Sequence, residues 1–358
     1  MKIILIINIF IILLIVSIEG YTKGINFPDN SFISINTTYG FMPDPNYSYQ
    51  HLLNGYMKSA NLTAGLNLKG SQYWHKYYNY PETGLSFVYY NLSNNEQLGS
   101  VFGLIPYIEI RLYNSQKLYP SFNMGIGLSY ISKKYDKLNN HQNVLIGSHL
   151  NAAIRTGFDL HFQLKQNFFI YTGSSFIHCS NGNIKYPNKG LNIITGNAGI
   201  KYYFNKTGYD TTTKTNSFKK YQFTISYAIS FTNIKTGINN GFNYHDFMID
   251  IHRKINPIYY LGLGIDYAYN NADTNIVYFE NKFIPSRNNI SGIKISNNFK
   301  FSRFEVLLQL GMHLFNSNKI YDWIILRYRI YQNVKVNLSY KSYFNIGDHL
   351  GWGISYTF

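Results

Sequence analysis

After its first twenty residues the chain is a run of short segments in which apolar and polar positions alternate. Alternation of period two puts every second side chain on one face of an extended strand. The pattern predicts strands at Phe32–Phe41, Leu62–Lys69, Leu85–Asn91, Val101–Tyr113, Phe122–Ser132, Leu145–Leu164, Phe168–His178 and Leu191–Phe204. After a polar stretch at Asn205–Ser217, it predicts more at Tyr221–Thr232, Tyr244–His252, Ile258–Tyr269, Ile290–Phe301, Glu305–Phe315, Trp323–Ile330, Val334–Tyr343 and Gly351–Phe358. The expected fold is all-β, a transmembrane antiparallel outer-membrane β-barrel of about 14–16 strands, because alternating strands with aromatic ends are the mark of that architecture. The run Trp352 to Phe358 alternates and ends on an aromatic, as a closing strand would. The expected organisation is a single barrel domain over residues 21–358.

Loop lengths set the orientation. With the N-terminus in the periplasm, short turns follow even strands and long loops follow odd ones. The short turns at Lys165-Gln166-Asn167, Lys254–Pro257, Ser302-Arg303 and Gln332-Asn333 obey this, as do the long connections Lys133–Asn143, Asn233–Asn243 and Asn271–Asn289. Gly70–Gly84 and Asn205–Ser217 fit badly, being long on the periplasmic side; the second reads as a linker between two halves.

Composition narrows the class. Charged residues make up 14% and aromatics 18% of the 358 residues, with 35 Tyr and 26 Phe, which excludes a disordered chain. The single cysteine excludes a disulfide framework and a cysteine-based zinc site. Met1-Lys2, an apolar run Ile3–Val16 and the exit Ser17 to Gly20 read as a secretory signal peptide over residues 1–20, too short for a spanning helix. The net charge of +15 then points to anionic lipid rather than to nucleic acid. Lys133, Lys134, Lys137, Lys185 and Lys189 fall in outer loops, where they can pair with lipid phosphates or stand as solvated charges.

One segment carries chemistry. His178 and Ser180 are two apart at the end of an outward-running strand, so both side chains share a face. A serine hydroxyl becomes a useful nucleophile only when a base takes its proton, and an imidazole beside it is the minimum arrangement for acyl transfer. Cys179 between them should point to the other face. His149 and Asn151 lie near the outer end of the preceding strand, where they could orient the base, bind substrate, or be ordinary rim residues.

The stretch His178-Cys179-Ser180-Asn181 followed by Pro187-Asn188 and Asn192 resembles the lipid A deacylase (acyloxyacyl hydrolase-like) family of outer-membrane barrels. Phe102 to Ile110 and Ser148-His149-Leu150-Asn151 look like segments of its larger relatives, so the resemblance covers roughly residues 30–204. It leaves 205–358 as additional strands. The resemblance implies Ser180 as nucleophile, His178 as general base, and Asn181 and Asn188 around the oxyanion site. It implies a substrate in lipid A of lipopolysaccharide, with no cofactor and no metal. The family's third catalytic member is a glutamate, and Asn192 stands in its place. Asparagine can hold an imidazole tautomer but brings no charge to the imidazolium. Reduced activity, a substitute carboxylate and loss of catalysis all remain open on this reading. Glu109 and Asp159 read toward the periplasmic ends of their strands, away from His178. The expectation is therefore a serine esterase removing a (3-hydroxy)acyl chain, against a non-catalytic barrel, either a pore or a structural protein, with a degenerate site. Oligomeric state is not legible in the pattern.

Overall fold

Among the described residues sixteen strands form, and they close into two walls rather than one. The computed structural model describes residues 27–113, 115, 117–182, 184–205, 207–209, 219–233, 241–270, 289–314, 320–343 and 346–358. The expected signal segment Met1–Gly20 and most of the connections 205–217, 233–243 and 271–289 lie outside them.

The first barrel comprises β1 (Ser31–Phe41), β2 (Met57–Asn67), β3 (Glu82–Asn91), β4 (Ser100–Arg111), β5 (Leu118–Ile131), β6 (Leu150–Lys165), β7 (Phe168–Ser180) and β8 (Leu191–Tyr203). It closes by antiparallel pairing of β1 with β8, Phe32 opposite Tyr203. The second comprises β9 (Tyr221–Asn233), β10 (Gly241–Asn256), β11 (Tyr259–Asn270), β12 (Asn289–Phe301), β13 (Phe304–His313), β14 (Ile320–Tyr331), β15 (Val334–Tyr343) and β16 (Ile346–Thr357). It closes through β16 and β9, Trp352 opposite Ile229. The single barrel over 21–358 expected from the sequence is thus replaced by two barrels of eight. The Phe204 N–H donates to the Ser31 carbonyl at 2.8 Å, which ties off the first wall just before the polar connection begins.

Division of the wall changes what the interior can be. Eight strands leave an interior just wide enough for side chains, whereas sixteen in one ring would have left an aqueous lumen. Both interiors are filled accordingly. In the first, Lys201 Nζ lies 2.7 Å from Glu82 and 3.2 Å from Glu109, and Arg111 lies 3.0 Å from Glu82. Nearer the outer end the filling turns apolar: Met42, Leu52, Leu92, Leu145, Ile146 and Cys179 are all buried in one cluster. In the second, Asp250 sits between Lys294 at 3.4 Å and Arg327 at 3.3 Å, Lys335 binds Glu305 at 2.7 Å, and Trp323 is fully buried. No single sixteen-stranded ring with a wide lumen forms among the described residues. Opposite parity faces outward, where Leu104, Leu128, Phe158, Leu160, Leu263 and Ile295 stay exposed as a lipid-facing band.

The awkward long turn after β2 proves to hold a short helix, α1 (Tyr73–Tyr77). Its Trp74, with Tyr78 just beyond, packs on Phe301 of the second barrel at ring-centroid distances of 5.9 and 4.6 Å, with Ile258 in the same cluster. Those contacts come from turns at the same end of each barrel, so the two stand side by side. His75 of α1 is buried, and its Nδ1 accepts the Gly70 N–H at 3.2 Å. Burial pushes its imidazole from 6.5 down to about 4. The neutral ring is the folded form, so its contribution is complete above about pH 6.5 and is lost as pH falls toward 4. Unfolding in detergent should show about 2–3 kcal/mol of stability lost between pH 7 and 4.5, a slope that His75→Asn flattens.

Candidate active site

Along β7 Tyr171, Ser175, Ile177 and Cys179 point inward while Ile170, Phe176 and His178 take the outer parity; Ser180 shares that parity, opposite the exposed Ala152, but is itself buried at the strand end. The imidazole and the hydroxyl therefore share the lipid-facing side of the wall, with their Cβ atoms ~7 Å apart along an extended strand. Cys179 is fully buried in the apolar cluster on the opposite side. Ser180 is opposite Ala152, and His178 is opposite Ile154 on β6 and Asn192 on β8.

That last register pair carries the chemistry. His178 Nδ1 and Asn192 Oδ1 are 2.7 Å apart. An amide oxygen can only accept, so Nδ1 holds the proton and Nε2 keeps its lone pair. This is the tautomer a general base needs. Among the described residues no hydrogen bond joins Ser180 Oγ to the ring, a looseness common before substrate binds.

The loop after β7 folds back over the pair. Asn188 Oδ1 accepts the Asn181 N–H at 3.1 Å, and Asn181 Nδ2 donates to Ser148 Oγ at 2.8 Å and to the Lys185 carbonyl at 2.7 Å. Both asparagines thus follow Ser180 in the loop, with amide groups that tie the loop to itself and to Ser148. Ile146 bridges Asn188, and the Gly190 N–H reaches the Leu145 carbonyl at 3.0 Å, so the loop before β6 and the loop after β7 form one lid. Gly190 has φ +78° and lies so near the imidazole that an added Cβ would stand 2.7 Å from His178 Cε1. Gly190→Ala should therefore displace the ring, lowering any ester turnover by about tenfold or more, and should also lower the melting temperature, because alanine is strained at this φ. Rates and melting of the purified variant check this.

The other sequence candidates go elsewhere. Asn151 turns into the lumen and bonds within its own turn, accepting from Ser148 Oγ at 2.9 Å. His149 Nδ1 bonds the Ile131 carbonyl at 2.7 Å, and its ring stacks on Tyr130 with centroids 5.3 Å apart, on the side of β6 away from β7. Neither is brought to the imidazole.

Sequence reading also missed a cluster. Glu109, Asp159 and His161 offer ligand-type atoms within 4.8 Å of one another inside the first barrel. Glu109 is paired with Lys201 and with His161 at 2.8 Å, and Asp159 accepts from Asn123 at 2.6 Å and Asn197 at 2.9 Å. The group is accounted for as an internal ion network, and the wall separates it from His178. No spacing signal could have found it, since β4 and β6 meet there only through the inward curve of the wall.

A family model described as lipid A 3-O-deacylase (PagL) matches residues 58–201, from the start of β2 to the end of β8. A second, described as acyloxyacyl hydrolase, C-terminal domain, matches residues 219–358, the whole second barrel. Each barrel is thus homologous to a domain of the lipid A deacylase and acyloxyacyl hydrolase family, the first match running over β2 to β8 and the second over β9 to β16. The two matches divide where the wall divides. Among solved structures, Neisserial surface protein A is similar at 9% identity with a TM-score of 0.35, covering 49% of this chain and 98% of that one. The outer membrane enzyme PagL is similar at 18% identity and 0.33, covering 46% and 97%. The P. putida toluene transporter TodX gives 9% identity and 0.17, covering 92% and 90%. No curated protein matches the chain. Among the described residues no helix is long and apolar enough to cross a membrane.

Proposed function

We propose that this protein is an outer-membrane serine esterase that removes an ester-linked (3-hydroxy)acyl chain from lipid A of lipopolysaccharide. The observation that carries the reading is the His178–Asn192 bond, which leaves Nε2 as a base on the same lipid-facing wall as Ser180. Ser180 Oγ attacks the ester carbonyl while His178 Nε2 takes its proton. The tetrahedral oxyanion collapses, the sugar oxygen leaves with that proton, and an acyl-serine remains. Water, deprotonated by the same nitrogen, then releases the fatty acid and frees the serine. N–H donors for the oxyanion come from the loop that Asn181 and Asn188 hold shut. The acyl chain leaves the ester along Phe176 and Ile194, both exposed on the outer face. Lys133, Lys137, Lys185 and Lys189 stand exposed in the outer loops, placed for the phosphates of lipid A. No metal or cofactor enters this scheme.

The detergent-folded protein, mixed with lipopolysaccharide, should yield lipid A lighter by one acyl chain, and Ser180→Ala should not. A lipid A mass unchanged by the wild type would overturn the reading. Asn192, standing where the family has glutamate, favours a second reading, a barrel that keeps a degenerate site. That reading expects no release even from Asn192→Glu.

A further inference from the structure

The loop that covers the candidate site also touches the other barrel. A Cβ built on Gly182, two residues after Ser180, would lie 3.6 Å from Leu350 Cβ, an ordinary contact distance. Leu350 belongs to the outer end of β16. In the same loop, Tyr186 is half-buried; burial first and the Asp348 carboxylate second raise its phenol above the ordinary value. The rim of the second barrel therefore stands against the lid of the first.

Two apolar faces descend from that meeting point. On β7, Phe176 lies below Ser180 on the outer face, with Ile194 directly opposite it on β8. On β16, Trp352 and Ile354 follow Leu350 on the outer face, each step ~7 Å along the tilted strand. Phe176 is 38% exposed, Ile194 40%, and Trp352 and Ile354 58% each, so the walls do not pack on one another. The periplasmic ends are joined again by Trp74, Tyr78 and Phe301. The contacts at the two ends thus leave these apolar side chains of both walls uncovered at membrane level.

We infer that the second barrel supplies the far wall of an acyl-chain groove, in which Trp352 and Ile354 face Phe176 and Ile194 and set the chain length accepted at Ser180. The inference rests on the esterase reading for its occupant, a single saturated acyl chain. An ester carbonyl at Ser180 leaves its chain only one apolar direction, down the wall into the membrane. That path runs beside β16, because β16 touches the loop two residues from the nucleophile. A family member of one barrel would hold the same chain against a single wall and bulk lipid.

Two measurements on the full-length protein in detergent micelles test this. The first compares p-nitrophenyl laurate with p-nitrophenyl acetate. Trp352→Ala should lower the laurate-to-acetate ratio of kcat/KM by about tenfold, the scale of a lost apolar subsite. The second needs no catalysis. Of the three tryptophans, Trp323 is buried in the lumen and Trp74 in the periplasmic contact, so Trp352 is the one open to the membrane. A dibrominated stearate should quench its fluorescence saturably, and unbrominated stearate should reverse the quenching. Quenching that only follows the mole fraction of brominated chain in the micelle, or an unchanged ester ratio, overturns the groove. Ester hydrolysis with an unchanged ratio would leave the esterase standing and the groove refuted. Saturable, reversible quenching in a protein that hydrolyses neither ester would do the opposite.

Discussion

Ser180→Ala should abolish acyl release, by on the order of 10⁴-fold or more in kcat, with no change in the fold. The size follows from the division of labour at the site. Only the hydroxyl can form the acyl-enzyme, and nothing near it substitutes, since Cys179 is on the other side of the wall and buried. His178→Ala should cost nearly as much, and the double variant little more, because the two groups act as one unit. Turnover of lipopolysaccharide followed by mass, together with strand content by circular dichroism, separates loss of chemistry from loss of fold. Full activity in Ser180→Ala would move the nucleophile elsewhere and end the assignment.

Asn192→Asp should raise the rate, by about tenfold to a hundredfold. Asn192 already does half of what the third residue of such a site does, since its oxygen at 2.7 Å fixes the proton on His178 Nδ1. What it lacks is charge. A carboxylate at the same distance stabilises the imidazolium formed as Ser180 attacks, and an opposite charge that close typically raises a partner's pKa by about 1–3 units. The acidic limb of the kcat profile should therefore shift to higher pH along with the gain in rate. Asn192→Leu, which loses the tautomer as well, should fall below the wild type. A rate unmoved by Asn192→Asp would mean that His178 does not carry positive charge in the slow step. In that case acyl release or lipid exchange limits turnover, and a burst of p-nitrophenol would reveal it.

Much of this molecule is written locally. All sixteen strands fall where the alternation places them, with shifts at the ends. The second strand begins at Met57 rather than Leu62 because Ser59 and Asn61 face the polar lumen and blur the apolar beat. Leu145 and Ile146 look like the beginning of a strand but are lid residues, buried in the outer cluster instead of continuing β6. The long turn after β2 seemed out of place until α1 gave it a partner across the gap. His149 and Asn151 are expected from sequence near the outer end of the strand preceding the site, yet their side chains bond toward Ile131 and Ser148.

By itself the sequence determined which residues are strands and that His178 and Ser180 share one face of theirs, while which face meets lipid was left to the fold. Those properties depend on the two-residue period of an extended chain and need no distant partner. Tertiary structure decided that there are two barrels, since closure is a pairing between strands as far apart as Phe32 and Tyr203, and no local pattern states where a wall turns back on itself. It also decided that Asn192 lies opposite His178 and that the second barrel touches the lid, because register and contact between walls arise only once both rings have closed.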